Sequence, residues 1–130
     1  MTTITIGASD LGLGDVRAAL TGPLDISLSA EARETVRKGS DAIARLLASG
    51  DAIYGVNTGF GKLANRRIGE ADLGKLQVNL VRSHAAGTGE PMPADVVRLM
   101  MLLKIRSLAA GHSGIAPETL SALAALVNRE

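Results

Sequence analysis

Apolar and polar residues alternate in two short stretches near the N-terminus, Ile4 and Ile6 among threonines, and Leu24, Ile26 and Leu28 around Asp25 and Ser27. Strand side chains point to opposite faces in turn, so a period of two predicts two short strands, able to pair as a small ribbon. Between them, Asp15 to Leu20 reads as a short helical piece. From Ser29 the period changes. Ala32, Val36, Gly39, Ile43 and Leu46/Leu47 recur at helical spacing behind a serine suited to cap the first turn, which carries Glu31, and Gly50 supplies the stop. Another helix starts near Gly69 or Asp72 and sets Leu73, Leu76, Leu80, Val81 and His84 close to one face. Pro91 and Pro93 then break the chain, and Pro93 suits the first position of a third long helix. That helix, from Val96 to Leu108, has so little polar face that burial on most sides is expected. Gly111-His112-Ser113-Gly114 turns the chain, and Pro117 opens a last helix whose Leu120, Leu123, Ala124 and Val127 form a stripe with no evident partner.

The pattern predicts a mainly α fold, a helical domain with a small two-stranded β-ribbon. Its unpartnered apolar faces predict an oligomer or an N-terminal part of a longer chain; the alternative is a compact helical bundle that ends there.

Composition narrows the field. A length of 130 residues predicts one domain, residues 1–130. Fourteen basic residues balance thirteen acidic ones, and no basic stripe interleaves with aromatics, so no nucleic-acid partner is expected. The absence of cysteine excludes disulfides and thiolate chemistry. His84 and His112 lie too far apart in sequence for a metal-ligand spacing, so no metal is expected. The N-terminus has neither a charged n-region nor a long apolar h-region, and the apolar run from Leu99 stops at Lys104, which predicts a soluble, cytoplasmic chain with no membrane partner. His112, between glycine and serine, reads as a solvated turn residue, and Met100 and Met101 read as core filler.

One stretch departs from this economy. Tyr54-Gly55-Val56-Asn57-Thr58-Gly59-Phe60-Gly61 holds the only tyrosine and the only phenylalanine of the chain among three glycines, a composition that fits neither a helix nor a regular strand. Either it is an ordinary turn whose Phe60 plugs the core while Tyr54 caps it, or it presents a phenol for chemistry. His84 is similarly open: a core histidine satisfied by a backbone carbonyl, or a site residue. A histidine on a leucine face is ordinarily the first of these; its place in the last turn before Ala85-Ala86-Gly87-Thr88-Gly89 raises the second, because two glycine-bearing loops can meet at one cleft.

Taken with Leu76-Gln77-Val78-Asn79-Leu80-Val81-Arg82-Ser83-His84-Ala85-Ala86-Gly87 and Leu103-Lys104-Ile105-Arg106-Ser107-Leu108-Ala109-Ala110-Gly111, the tyrosine loop resembles the N-terminal region of the aromatic amino acid ammonia-lyases, and among them the histidine ammonia-lyases. The three motifs come in order at matching separations, and the resemblance covers nearly the whole chain. The resemblance implies elimination of ammonia from L-histidine to give urocanate in histidine catabolism, by a homotetramer with sites shared between subunits. It also implies a methylidene-imidazolone electrophile built from an Ala-Ser-Gly that follows Gly-Ser-Val-Gly. No such stretch occurs here. Ala48-Ser49-Gly50 lies on the wrong side of the tyrosine loop, at a helix end, so no cofactor-binding residue is expected in this chain and the 130 residues alone are expected to be inactive.

By the same resemblance Tyr54 matches the base, Gly61 a position lining the substrate pocket, and His84 the selectivity position. Removing a weakly acidic proton needs a positioned base, and a phenol, ordinarily titrating near pH 10, serves at neutral pH only where donors or positive charge hold its anion. Ser83-His84 resembles the histidine-lyase pair where phenylalanine lyases tend to have Phe-Leu. A tyrosine or phenylalanine lyase or aminomutase of the same family, and a non-enzymatic helical interaction module, are the competing expectations.

Overall fold

The computed structural model describes residues 1–7, 9–63 and 66–129. The two alternating stretches are strands β1 (Thr2–Ile6) and β2 (Leu24–Leu28), which pair in register from Thr2 with Leu24 to Ile6 with Leu28. They run parallel. A parallel pair cannot be closed by a tight turn, and helix α1 (Leu13–Thr21) supplies the crossover. The pleat puts Ile4, Ile6, Leu24 and Ile26 into the core and leaves Thr5 and Ser27 to hydrogen-bond each other at 3.0 Å on the other face.

Helix α2 (Ala30–Ser49) begins as the sequence predicts, with the Ser29 hydroxyl oxygen accepting the Ala32 amide at 3.0 Å. Helices α3 (Glu70–His84), α4 (Ala94–Ala109) and α5 (Pro117–Val127) follow. The chain divides into two compact units, one of residues 1–43 with 91–130, the other of residues 44–90.

In the first unit α4 packs on α1 and α5, and α5 also covers β2. The stripe of α5 therefore has its partner within the chain, contrary to the expectation from its sequence, with Leu120, Ala124 and Val127 buried. Helix α4 corrects a second expectation. It buries only Leu102, Ile105, Leu108 and Ala109, while Val96, Val97, Met100 and Leu103 stay 37–55% exposed, because the helical period carries them to the face opposite its neighbours. Arg98 reaches across to donate to the Ala19 carbonyl at 2.8 Å, near the end of α1. Beyond α5, the Asn128 side chain accepts the Ile26 amide at 2.7 Å and donates to the Ile26 carbonyl at 2.9 Å, occupying the place a neighbouring strand's peptide would take. Gly39 of α2 lies so close to the turn after α4 that a methyl group there would meet the Gly111 carbonyl oxygen.

The second unit comprises the last residues of α2, a loop and α3. Its leucine face is half-buried: none of the α3 residues is fully buried, and His84 is exposed. Among the described residues no helix is long and apolar enough to cross a membrane.

Candidate functional site

The site residues foreseen in the sequence all fall in the second unit, and the loop that carries two of them is built from its buried polar residues. Helix α2 stops at Gly50, whose φ of +85° is readily available only to glycine and whose amide donates to the Leu47 carbonyl at 3.2 Å. The chain then folds round Asn57. This residue is 3% exposed, and its side-chain oxygen accepts the Ile53 amide at 2.7 Å while its side-chain nitrogen donates to the Asp51 carbonyl at 2.8 Å. Its backbone carbonyl accepts the Ile68 amide at 2.8 Å, and Gly59 donates to the Arg66 carbonyl at 2.9 Å, so the far side of the loop is tied as a short antiparallel rung. With Thr58 also buried, the backbone from Asn57 to Gly59 is fixed inside and the aromatic residues on either side of it are turned outward.

Tyr54 is 65% exposed and Phe60 36%, so Phe60 does not plug a core and Tyr54 does not cap one. The two rings meet edge to face, with centroids 6.0 Å apart and planes at 68°, a favourable aromatic arrangement. Phe60 also joins Leu80, Val81 and His84 around a nearly wholly apolar hollow of about 460 Å³. Tyr54 and His84 are thus linked through one ring, Tyr54 against Phe60 and Phe60 beside His84. Gly61 follows Phe60 with a φ of +57° and open space where a side chain would stand. It touches neither Tyr54 nor His84 in any described contact.

His84 closes α3, whose Glu70 and Asp72 at the start and Arg82 and His84 at the end match the helix dipole. Its Nδ1 lies 2.9 Å from the Leu80 carbonyl oxygen and 3.0 Å from the Ser83 hydroxyl. His84 is therefore not a core histidine: one ring nitrogen lies against a backbone carbonyl, and the ring is exposed and lines a hollow.

Ala48-Ser49-Gly50 does not fit the electrophile. Cyclisation needs the glycine nitrogen pressed onto the alanine carbonyl, whereas the Gly50 amide is bonded to Leu47 and the Ser49 hydroxyl lies 2.8 Å from both the Leu46 carbonyl and the Asp51 carboxylate, which share its one proton. It is a helix end. Phe60 and Asn57 were passed over in the sequence as site parts. The available signal was an asparagine among glycines, a residue type whose side chain substitutes for backbone in turns.

Residues 11–130 match the sequence model of the aromatic amino acid lyases, and the chain belongs to that family. Within it, the similarity runs to histidine ammonia-lyases: 44% identity over 130 residues with that of Vibrio cholerae, covering all of this chain and 25% of the relative, and 43% over 125 residues with that of Geobacillus thermodenitrificans, covering 96% and 25%. The chain spans about a quarter of the length of these relatives. Among solved structures, a tyrosine aminomutase mutant with bound ligand superposes with a TM-score of 0.90 at 27% identity, over 98% of this chain and 24% of that one. The histidine ammonia-lyase of Trypanosoma cruzi superposes with a TM-score of 0.82 at 30% identity, over 98% and 24%.

Proposed function

We propose that the chain serves as the N-terminal quarter of a histidine ammonia-lyase that converts L-histidine to urocanate and ammonia. The observation that carries this reading is the shared ring of Phe60, which stands against Tyr54 on one side and beside His84 on the other. An apolar hollow suits the flat faces of a substrate ring, His84 offers that ring one directed hydrogen bond, and Tyr54 is the group that takes the proton from the carbon next to it. Gly61 leaves room for the substrate to approach the backbone.

The methylidene-imidazolone of the family turns the amine into a good leaving group, and on this reading it comes from residues other than Ala48-Ser49-Gly50. The exposure of Tyr54 fits a site completed by further polypeptide, in a cytoplasmic homotetramer whose subunits share sites. A tyrosine or phenylalanine enzyme of the family is the second reading, favoured by the closer superposition on the aminomutase and opposed by Ser83-His84.

The test is a chimera in which residues 1–130 replace the matching quarter of the Vibrio cholerae enzyme, assayed by the ultraviolet absorbance of urocanate. The chimera is expected to deaminate histidine. Tyr54→Phe is expected to lower kcat by about 10²–10⁴, the usual contribution of positioned proton transfer, with KM changing less. Near-normal turnover by that variant would remove Tyr54 from the reaction.

A further inference from the structure

The ring nitrogens of His84 are not equivalent. Nδ1 lies 2.9 Å from the Leu80 carbonyl oxygen, and a carbonyl can only accept. The Ser83 hydroxyl sits 2.9 Å from the same carbonyl and 3.0 Å from Nδ1. Two proton arrangements are conceivable. If Ser83 gave its proton to a bare Nδ1, the ring nitrogen would set its lone pair against the Leu80 carbonyl oxygen at 2.9 Å, acceptor facing acceptor. If Nδ1 carries the proton, it donates to the carbonyl and to the serine oxygen, while the serine proton goes to the carbonyl, and no acceptor faces another at hydrogen-bond distance. The second arrangement satisfies all three groups.

From this we infer that Ser83 and the Leu80 carbonyl lock neutral His84 as its Nδ1–H tautomer, so that Nε2 is a hydrogen-bond acceptor that selects substrates presenting a ring N–H donor. Among the described residues Nε2 has no partner, and His84 lines the hollow with Phe60, Leu80 and Val81. The remaining walls are apolar, so Nε2 is the one polar group they leave for a ring to satisfy. An imidazole can meet it with N–H. A phenyl ring cannot, and would leave the acceptor desolvated and unpaired. Ser83 is then a positioning residue: it acts on the substrate only through the proton of His84. This rests on the assignment of the hollow to a substrate ring made above, but the tautomer itself does not.

Two measurements separate them. In the 130-residue chain, which has only His84 and His112, ¹⁵N NMR of the imidazole nitrogens with His112→Gln reads His84 alone. Where the ring is neutral, the Nδ1–H form is expected to dominate, the reverse of free histidine; Ser83→Ala should shift the population toward Nε2–H, and Ser83→Thr, which keeps the oxygen, should restore it. In the chimera, Ser83→Ala should lower the histidine-over-phenylalanine ratio of kcat/KM by about fivefold or more, with Ser83→Thr near the parent. A dominant Nε2–H form in the parent chain overturns the inference. Unchanged tautomer and unchanged ratio in Ser83→Ala overturn the role given to Ser83. An Nδ1–H ring in a chimera that ignores histidine would uphold the lock and sink the proposed substrate.

Discussion

Ile53 and Asn57 are joined by two hydrogen bonds: the Ile53 amide donates to the Asn57 side-chain oxygen at 2.7 Å, and the Asn57 amide donates to the Ile53 carbonyl at 3.1 Å. The pair closes the turn in which Tyr54 sits, so the direction of the phenol depends on a side chain that never reaches the hollow.

Asn57→Ala is accordingly expected to cost about 1–3 kcal/mol locally, since it strands the part-buried Ile53 amide and removes the donor to the Asp51 carbonyl. Asn57→Asp, which keeps the acceptor for Ile53 but sets a carboxylate oxygen against the Asp51 carbonyl in a buried position, should cost at least as much. Hydrogen exchange at the Ile53 amide measures both. Protection unchanged in Asn57→Ala would show that the turn is held by its backbone alone.

Two helical glycines should respond oppositely to alanine. Gly39→Ala drives a methyl group onto the Gly111 carbonyl and is expected to destabilise by about 1–3 kcal/mol, because backbone cannot swing aside as a side chain can. Gly74, inside α3, has nothing within 4 Å of an added Cβ, so Gly74→Ala should stabilise by about 0.5–1 kcal/mol. Urea unfolding of the two variants gives the signs.

On the exposed side of α2, Arg37 hydrogen-bonds Glu34 at 2.8 Å and holds its carboxyl below the ordinary 4.5, helped by the charges of Arg37 and Lys38. A depressed acid stabilises the fold above its unfolded value and loses that contribution as pH falls through the folded one. Parent and Glu34→Gln should therefore differ in thermal midpoint at neutral pH and converge well below pH 4.5. The difference should be small and shrink with salt, as for any solvated pair. Divergence on acidification would reverse the sign argued here.

The exposed face of α4 predicts self-association of the 130-residue chain. Val97, Met100, Met101 and Leu103 surround an apolar hollow of about 520 Å³. Sedimentation velocity over a range of concentrations should show oligomers that Val97→Glu with Met100→Glu dissociates. A monomer at every concentration would count against it.

The same chain, lacking any Ala-Ser-Gly free to cyclise, should produce no urocanate alone. Sustained protein-dependent production would refute the assignment of the electrophile elsewhere.

The local chemistry of the fold was open to reading along the chain. Ser29, Gly50, Gly69 and Pro117 bound their helices because capping and breaking depend on residues a few positions apart. The partners of apolar stripes were not open in the same way. That α5 covers β2, or that α4 buries only one face, depends on contacts between residues far apart in sequence, and periodicity reports a face without saying what meets it. At the site, Tyr54 and His84 stood out by type and setting, and the resemblance supplied their expected roles and added Gly61. Phe60 as the ring between Tyr54 and His84 did not stand out, because an aromatic in a mostly aliphatic chain reads first as core. Nor did the tautomer of His84, which turns on a hydroxyl and a carbonyl at 2.9–3.0 Å.

The amide of Asn128 has a consequence for the chain's behaviour at high concentration. A strand edge with free N–H and C=O groups is a template on which another chain can lengthen a sheet, the first step toward fibrils. At Ile26, the middle of β2, both groups are already taken by one side chain that carries a donor and an acceptor at peptide spacing. Copies of this chain that cling together are thereby steered to helical faces and soluble clusters, and away from cross-β growth along β2.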